Sequence, residues 1–442
     1  MDIKTVTVLG ANGTMGRNIA AIFASFGNAK VYMVSRSVEK STKAIEKSYQ
    51  TVKAESIKAN MIPVDYENLD ECINFSDLIF EACAENWDVK VDIHQKIANE
   101  LRKIDYNSNQ EKLICSGTSG LSITSLAELY DEKHRDRFMG MHFFNPPYNL
   151  TLCELIPTKY NSKELVEEAH AYLDKVLYRT TVEVKDQPAF LGNRIGFQFI
   201  NELLQLAEEY KYNGGIDYID AIFGPFTGRN MAPLATANFV GLDVHKAIVD
   251  NLYDNTKDYA HETFVMPEYV VEMVKDGRLG RKVGIGLYKT LTYDGGIKVR
   301  QVYDIEQGTY REVIKYNFPF VEEIVSALKV GNYKKAIDIM VKNRSSEAEL
   351  CCKMLLKYVI YALNTTRMVG FCEHSADDVM ATGFGWCPPL AIVDALGGKD
   401  RFLELCKERV EKDVIENIDL NALVNIIEKS KYDYRRFLKA KR

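Results

Sequence analysis

Through its first 180 or so residues the chain alternates short β-branched runs with longer stretches that turn apolar every third or fourth position. Thr5 to Leu9, Val31 to Ser35, Leu78 to Cys83, Leu113 to Ser116 and Arg137 to His142 read as buried strands. Met15 to Phe26, Val38 to about Lys58 and Asp88 to Lys103 carry the helical period. Strands alternating with helices predict βαβ units, hence an α/β fold with a doubly wound, Rossmann-type parallel sheet. Such sheets bind ligands at the carboxyl ends of their strands. Gly10, Ser35, Cys83, Ser116 and His142 are expected at those ends, around one shared crevice.

From about Asp186 the pattern changes to long helices, Arg194 to Lys211 and Ala232 to Leu252. A hairpin-like section from 288 to 313, turning at Asp294-Gly295-Gly296, interrupts them before Pro319 to Arg442 becomes helical again. The expected organisation is a dinucleotide-binding domain over 1–185, a first C-terminal helical domain over 186–315, and a second over 316–442. Both C-terminal domains are expected to be all-α apart from that hairpin. The second reads as a degenerate repeat, because Ala362 to Gly397 echoes Leu206 to Gly241, each passing an Asp-rich step and a Gly/Pro turn into Leu-Ala.

Composition narrows the class. The chain has 442 residues, 46% hydrophobic and 27% charged, with a net charge of −6. That is ordinary globular usage with no basic footprint for nucleic acid. The basic stretch Lys431 to Arg442 reads as a solvated helix end. No run approaches the roughly 18 uncharged apolar residues of a membrane span. The nine cysteines are odd in number and scattered, which fits free thiols in a reducing cytoplasm rather than disulfides or a metal site. The N-terminus opens directly on a strand pattern, and the last residues are not a peroxisomal address. The expectation is cytoplasmic.

Two motifs carry chemistry. Gly10-Ala11-Asn12-Gly13-Thr14-Met15-Gly16 follows a strand and opens a helix. Glycines at this spacing let the backbone approach a diphosphate, and the helix N-terminus attracts it. At the end of the second strand, where an NAD site places an acidic residue for the ribose hydroxyls, stands Ser35-Arg36-Ser37. An arginine between hydroxyls accommodates a 2′-phosphate, so the expected cofactor is NAD(P), with NADP slightly favoured. The second motif is Met141-His142-Phe143-Phe144-Asn145-Pro146-Pro147 with Glu154 beyond it. A histidine oriented by a carboxylate serves as a general base near neutral pH. Together with a dinucleotide site, the pair points to hydride transfer at a carbinol carbon. Ser119 and Asn193 either cap their helices or donate to the reacting oxygen.

These residues resemble the L-3-hydroxyacyl-CoA dehydrogenase family. The likeness runs over about residues 3 to 290. It passes through the Gly-rich turn, Glu81-Ala82-Cys83-Ala84-Glu85-Asn86 with Lys90, Ser116-Gly117-Thr118-Ser119, His142 to Pro146 with Glu154, and Asn193-Arg194. It ends on Val240-Gly241-Leu242-Asp243 and Gly284 to Lys289. Glu154 to Thr158 and Gly228-Arg229 look most like the dehydrogenase part of long bacterial proteins with a fused enoyl-CoA hydratase. Ala381 to Gly385 looks like the second helical repeat of multifunctional members. The resemblance implies an acyl-CoA substrate, with His142 as catalytic base and Glu154 as its orienting partner. It further implies Ser119 and Asn193 as contacts to the substrate oxygen, and Glu85 and Lys90 as contacts beside the nicotinamide.

The chain also departs from the family pattern. Its Gly-rich turn is one residue longer than usual, Ser35 replaces the acidic residue, Gly117 stands where Asn is usual, and Met231-Ala232-Pro233 alters a turn. These touch cofactor choice and substrate shape. Alternatives are a dehydrogenase of a free 3-hydroxy acid or sugar acid, clamped by Arg194 or Arg229, and a low-activity cofactor-binding scaffold subunit. Monomer and homodimer both remain open.

Overall fold

The computed structural model describes residues 1–104 and 111–441, so Arg442, the end of the basic stretch, lies outside the described residues. The chain divides into two compact units, Met1–Phe190 and Leu191–Arg442.

The first unit is built on eight strands: β1 (Thr5–Leu9), β2 (Lys30–Ser35), β3 (Met61–Asp65), β4 (Leu78–Glu81), β5 (Leu113–Ser116), β6 (Phe138–Phe143), β7 (Leu152–Ile156) and β8 (Thr180–Glu183). Their order is β3-β2-β1-β4-β5-β6-β7-β8. β1 to β6 pair in parallel, and β7 with β8 runs antiparallel to them. Chain order reverses between β1 and β4, the switch point at which doubly wound sheets open a ligand crevice. Helix Thr14–Ser25 buries Ile19 to Ala24, helix Trp87–Lys103 buries Ile93, Ile97, Ala98 and Leu101, and helix Val38–Val52 buries the small side chains of Ser41, Ala44 and Ser48. The rings of Phe23, Phe80 and Phe143 meet edge-on, 5.8–6.4 Å apart, within this core.

The expected helix from Val38 to Lys58 is broken. Lys53 turns left-handed (φ 58°), and a short helix, Glu55–Asn60, leads into β3. β3 escapes the sequence pattern because Pro63 interrupts it, and a proline is tolerated there because β3 is an edge strand.

In the second unit the helix Gly192–Glu209 is buried on every face as far as Leu204, as befits a central helix. The stretch Ala232 to Leu252 forms two helices, Pro233–Val240 and Leu242–Asn255, parted at Gly241 (φ 112°), a conformation that suits glycine. The hairpin-like section is a three-stranded antiparallel sheet of β9 (Tyr288–Thr292), β10 (Lys298–Asp304) and β11 (Thr309–Glu312). Two aspartates cap helices in the same manner. Asp220 accepts from the amides of Leu234 (2.8 Å) and Ala235 (2.9 Å), and Asp377 accepts from Leu390 (2.8 Å). Burial pushes both carboxyls up to about 6, against the pull of those bonds. Among the described residues, no single helix is long and apolar enough to cross a membrane.

Candidate active site

The carboxyl edge of the sheet gathers the residues singled out by sequence within the first unit. Gly10 follows β1, Ser35 ends β2, Ser116 ends β5 and His142 is the penultimate residue of β6. The Gly-rich turn lies at the switch point, pressed on the end of β4. A Cβ on Gly10 (φ 73°) would stand 2.6 Å from the Ala82 carbonyl oxygen, and one on Gly16 would stand 2.4 Å from the Gly10 oxygen. Only glycine fits at either position. Gly13 donates to the Gly10 carbonyl (3.0 Å) and opens the helix Thr14–Ser25 without a side-chain cap, and no acid occupies its first turn. Asn12, Gly13 and Thr14 are exposed and Met15 is half-buried. Uncapped first-turn amides and a backbone cleared of side chains fit the diphosphate of a dinucleotide.

The three residues Ser35, Arg36 and Ser37 take different parts. Ser35 is buried, donating to the Ser37 carbonyl (3.0 Å) and bonded to the Ser41 hydroxyl (2.8 Å). Ser37 caps the next helix through the Lys40 amide. Arg36 is the exposed member. An acid does stand at this edge, unnoticed in the sequence: Asp65 pairs in register with Ser35. Its carboxylate accepts from the Glu67 amide (3.2 Å) and the Asn68 amide group (3.0 Å), capping the turn after β3.

His142 and Glu154 are register partners across β6 and β7. His142 Nδ1 lies 2.7 Å from Glu154 Oε2, and both side chains are buried. The rings of Phe144 and Phe190 flank the imidazole at 4.5 and 5.6 Å. Asn145 and Pro146 are exposed, and Asn145 accepts from Asn18 (3.1 Å).

Ser119 and Glu85 are joined directly. Glu85 Oε1 accepts from the Ser119 amide (2.8 Å) and the Thr118 hydroxyl (2.6 Å). Lys90 is buried, with its ammonium 3.4 Å from Glu85 and 2.9 Å from Glu81. Glu81, which opens the Glu81–Asn86 motif and has no role assigned from sequence, is fully buried. Its signal was available, since a carboxylate closing an apolar strand needs partners.

In the second unit, Asn193 lies in the first turn of the helix Gly192–Glu209 and is buried. Arg194 is buried beside Asp258 (2.7 Å) and the Tyr361 hydroxyl (3.2 Å). Arg229 lies under the rings of Phe199 (4.2 Å) and Trp386 (4.6 Å), where burial lowers its guanidinium to about 10. Among the described residues, no group of three or more His, Cys, Asp or Glu is placed to hold a metal.

Comparison with known proteins shows which family the chain resembles. The family model described as "3-hydroxyacyl-CoA dehydrogenase, NAD binding domain" matches residues 5–187, and "3-hydroxyacyl-CoA dehydrogenase, C-terminal domain" matches 190–290. A probable 3-hydroxyacyl-CoA dehydrogenase of Bacillus subtilis is 27% identical over 90% of this chain and 51% of its own length. The chain thus spans about half the length of that relative, and 52% of the two putative trifunctional enzymes of Rickettsia that it also matches. A 3-hydroxybutyryl-CoA dehydrogenase of Clostridioides difficile is 31% identical over 64% of this chain and 98% of its own. The crystal structure of a 3-hydroxybutyryl-CoA dehydrogenase from Escherichia coli K12 superposes with a TM-score of 0.69 over 97% of this chain and 99% of that one, a likeness of fold at 21% identity. With a Gly-rich cradle at the switch point, a His–Glu pair across β6 and β7, and these matches through residue 290, the chain belongs to the 3-hydroxyacyl-CoA dehydrogenase family.

Proposed function

We propose that the protein interconverts (S)-3-hydroxyacyl-CoA and 3-oxoacyl-CoA thioesters with a nicotinamide cofactor, His142 acting as acid and base and Glu154 orienting it. The observation that carries this reading is the buried 2.7 Å contact between His142 Nδ1 and Glu154 Oε2 at the carboxyl edge of the sheet. With Nδ1 held by the carboxylate, Nε2 is the atom that takes the proton of the substrate hydroxyl. The carboxylate fixes the tautomer and offsets the charge that the ring then gains. The bound nicotinamide supplies the acceptor for the hydride leaving the same carbon. In the reverse direction His142 returns the proton to the developing alkoxide. Ser119 and Asn193 contact the substrate oxygen, and Glu85 and Lys90 serve the nicotinamide half.

NADP is the slightly favoured cofactor. This rests on the exposed Arg36, on the absence of an acid at position 35, and on the engagement of Asp65 in capping. The protein acts on acyl-CoA in the cytoplasm, as a monomer or homodimer. In a free-acid dehydrogenase Arg194 or Arg229 would have to grip a carboxylate. Arg194 is already paired with Asp258, and Arg229 is packed under aromatic rings, so neither supports that alternative.

The deciding experiment is oxidation of NADPH, and separately NADH, by acetoacetyl-CoA, with free CoA added as competitor. Turnover that free CoA inhibits is the expected result. Turnover of free 3-hydroxy acids alone would replace this reading with the alternative, and nucleotide binding without turnover of any substrate would favour the scaffold.

A further inference from the structure

Glu81 ends β4, one residue before Ala82 closes on Gly10, and both its carboxylate oxygens are engaged. Oε1 accepts from the Cys83 amide (2.6 Å) and from Lys90 Nζ (2.9 Å). Oε2 accepts from the Ser116 hydroxyl (2.6 Å) and from Lys90 Nζ (3.1 Å), with His94 Nε2 at 3.5 Å. One buried group thus ties the loop after β4, the helix Trp87–Lys103 and the end of β5. Burial alone would raise the Glu81 carboxyl, but His94, Lys90 and Ser116 outweigh it and hold it well below the usual carboxylate range. Burial likewise works against the Lys90 ammonium, and the charges of Glu81 and Glu85 overcome it.

The chain of contacts continues outward. Lys90 lies between Glu81 and Glu85, and Glu85 in turn holds the Ser119 amide and the Thr118 hydroxyl. A buried ammonium flanked by two carboxylates has a defined resting place only while both attract it. Remove the charge of Glu81, and Lys90 is drawn onto Glu85, which must then share its oxygens between Lys90, Thr118 and Ser119.

We infer that Glu81 is a positioning residue of the cofactor site, acting through Lys90 to set where Glu85 and Ser119 stand. The inference rests on the proposed nicotinamide role of Glu85 and Lys90, and goes beyond it by assigning their placement to a carboxylate that touches neither cofactor nor substrate. The role calls for charge as well as shape, so the isosteric Glu81→Gln should fail to fill it.

The test is a double-mutant cycle on Glu81→Gln and Lys90→Met, read as the Kd for NADH and for NADPH by fluorescence titration, beside the melting temperature. Each single change should weaken the better-bound nucleotide about tenfold, and the double variant should match Lys90→Met within about twofold, since the two residues act as one unit. A Glu81→Gln protein with a lower Tm but unchanged Kd would show a packing role only and overturn the inference. So would losses that multiply in the double variant. Glu81→Gln leaves a buried cation with less counter-charge and is the variant most prone to misfold, whereas the double variant removes both charges together. If Glu81→Gln does not fold, Glu81→Asp takes its place, keeping the charge but drawing it back from Lys90: a weakened nucleotide Kd supports the inference and an unchanged one overturns it. Failure of the unaltered protein to bind either nucleotide would instead overturn the cofactor reading beneath the inference.

Discussion

His142 and Glu154 face each other as register partners on antiparallel strands β6 and β7, Nδ1 to Oε2 at 2.7 Å, with both side chains out of water. Strand pairing rather than a flexible loop sets this distance, so the imidazole is oriented before substrate arrives. His142→Ala should lower kcat by about 10²–10⁴-fold, the usual worth of a positioned acid–base group. Nucleotide Kd should stay within about threefold, because the loss belongs to the chemical step. Substantial remaining activity would remove His142 from the mechanism.

Glu154→Gln separates orientation from charge. The amide can still meet Nδ1 but no longer offsets the imidazolium, so kcat should fall by about ten- to hundredfold. The pH–rate profile should change with it. A profile that superposes on that of the unaltered protein would assign Glu154 to packing alone.

Arg36→Ala tests the cofactor choice. Loss of one charge-assisted contact, about 1.5–3 kcal/mol, should raise the KM for NADPH roughly ten- to hundredfold and leave that for NADH nearly unchanged. Equal effects on both nucleotides would make Arg36 a general surface charge and return the preference to NAD.

The paired caps Asp220 and Asp377 predict a pH effect on stability. Both folded carboxyls are pushed up to about 6 from a reference of 3.8, chiefly by burial. A raised acid binds its proton more tightly in the folded state, so its contribution is fully present below about pH 4 and is lost as pH climbs through about 6. The loss is of the order of 2–3 kcal/mol per group. In Tm measurements from pH 4 to 7, Asp220→Asn and Asp377→Asn proteins should show a smaller decline than the unaltered protein over that window. Parallel curves would contradict the raised values.

Gly196 tests packing inside the second unit. A Cβ there would come 2.4 Å from the Phe384 ring. Gly196→Ala should therefore cost about 1–3 kcal/mol by overpacking, and adding Phe384→Leu should restore part of the lost Tm. No loss from the single change would mean that the Phe384 ring shifts to accommodate the added methyl group.

Much of the first unit is legible in sequence because burial on two faces leaves continuous apolar runs. β1, β2, β4, β5 and β6 stand where those runs predict them, and the Gly-rich turn and His142 fall at their carboxyl ends. The strand ends, the glycine spacing and the His–Glu pair are local signals, written in order along the chain. What only tertiary structure decided is who meets whom. β3, broken by Pro63, is a strand because β2 offers an edge. Helix Val38–Val52 stops where Lys53 turns left-handed. Ser35 turns inward while Arg36 faces water. Arg194 and Arg229 are consumed by Asp258 and by aromatic rings rather than offered to a substrate. Glu81 gained its place as a hub only when β5 and the helix after β4 brought Ser116, Lys90 and His94 to one carboxylate. The period of a chain tells which residues leave water, whereas a buried charge takes its meaning from neighbours that distant segments supply.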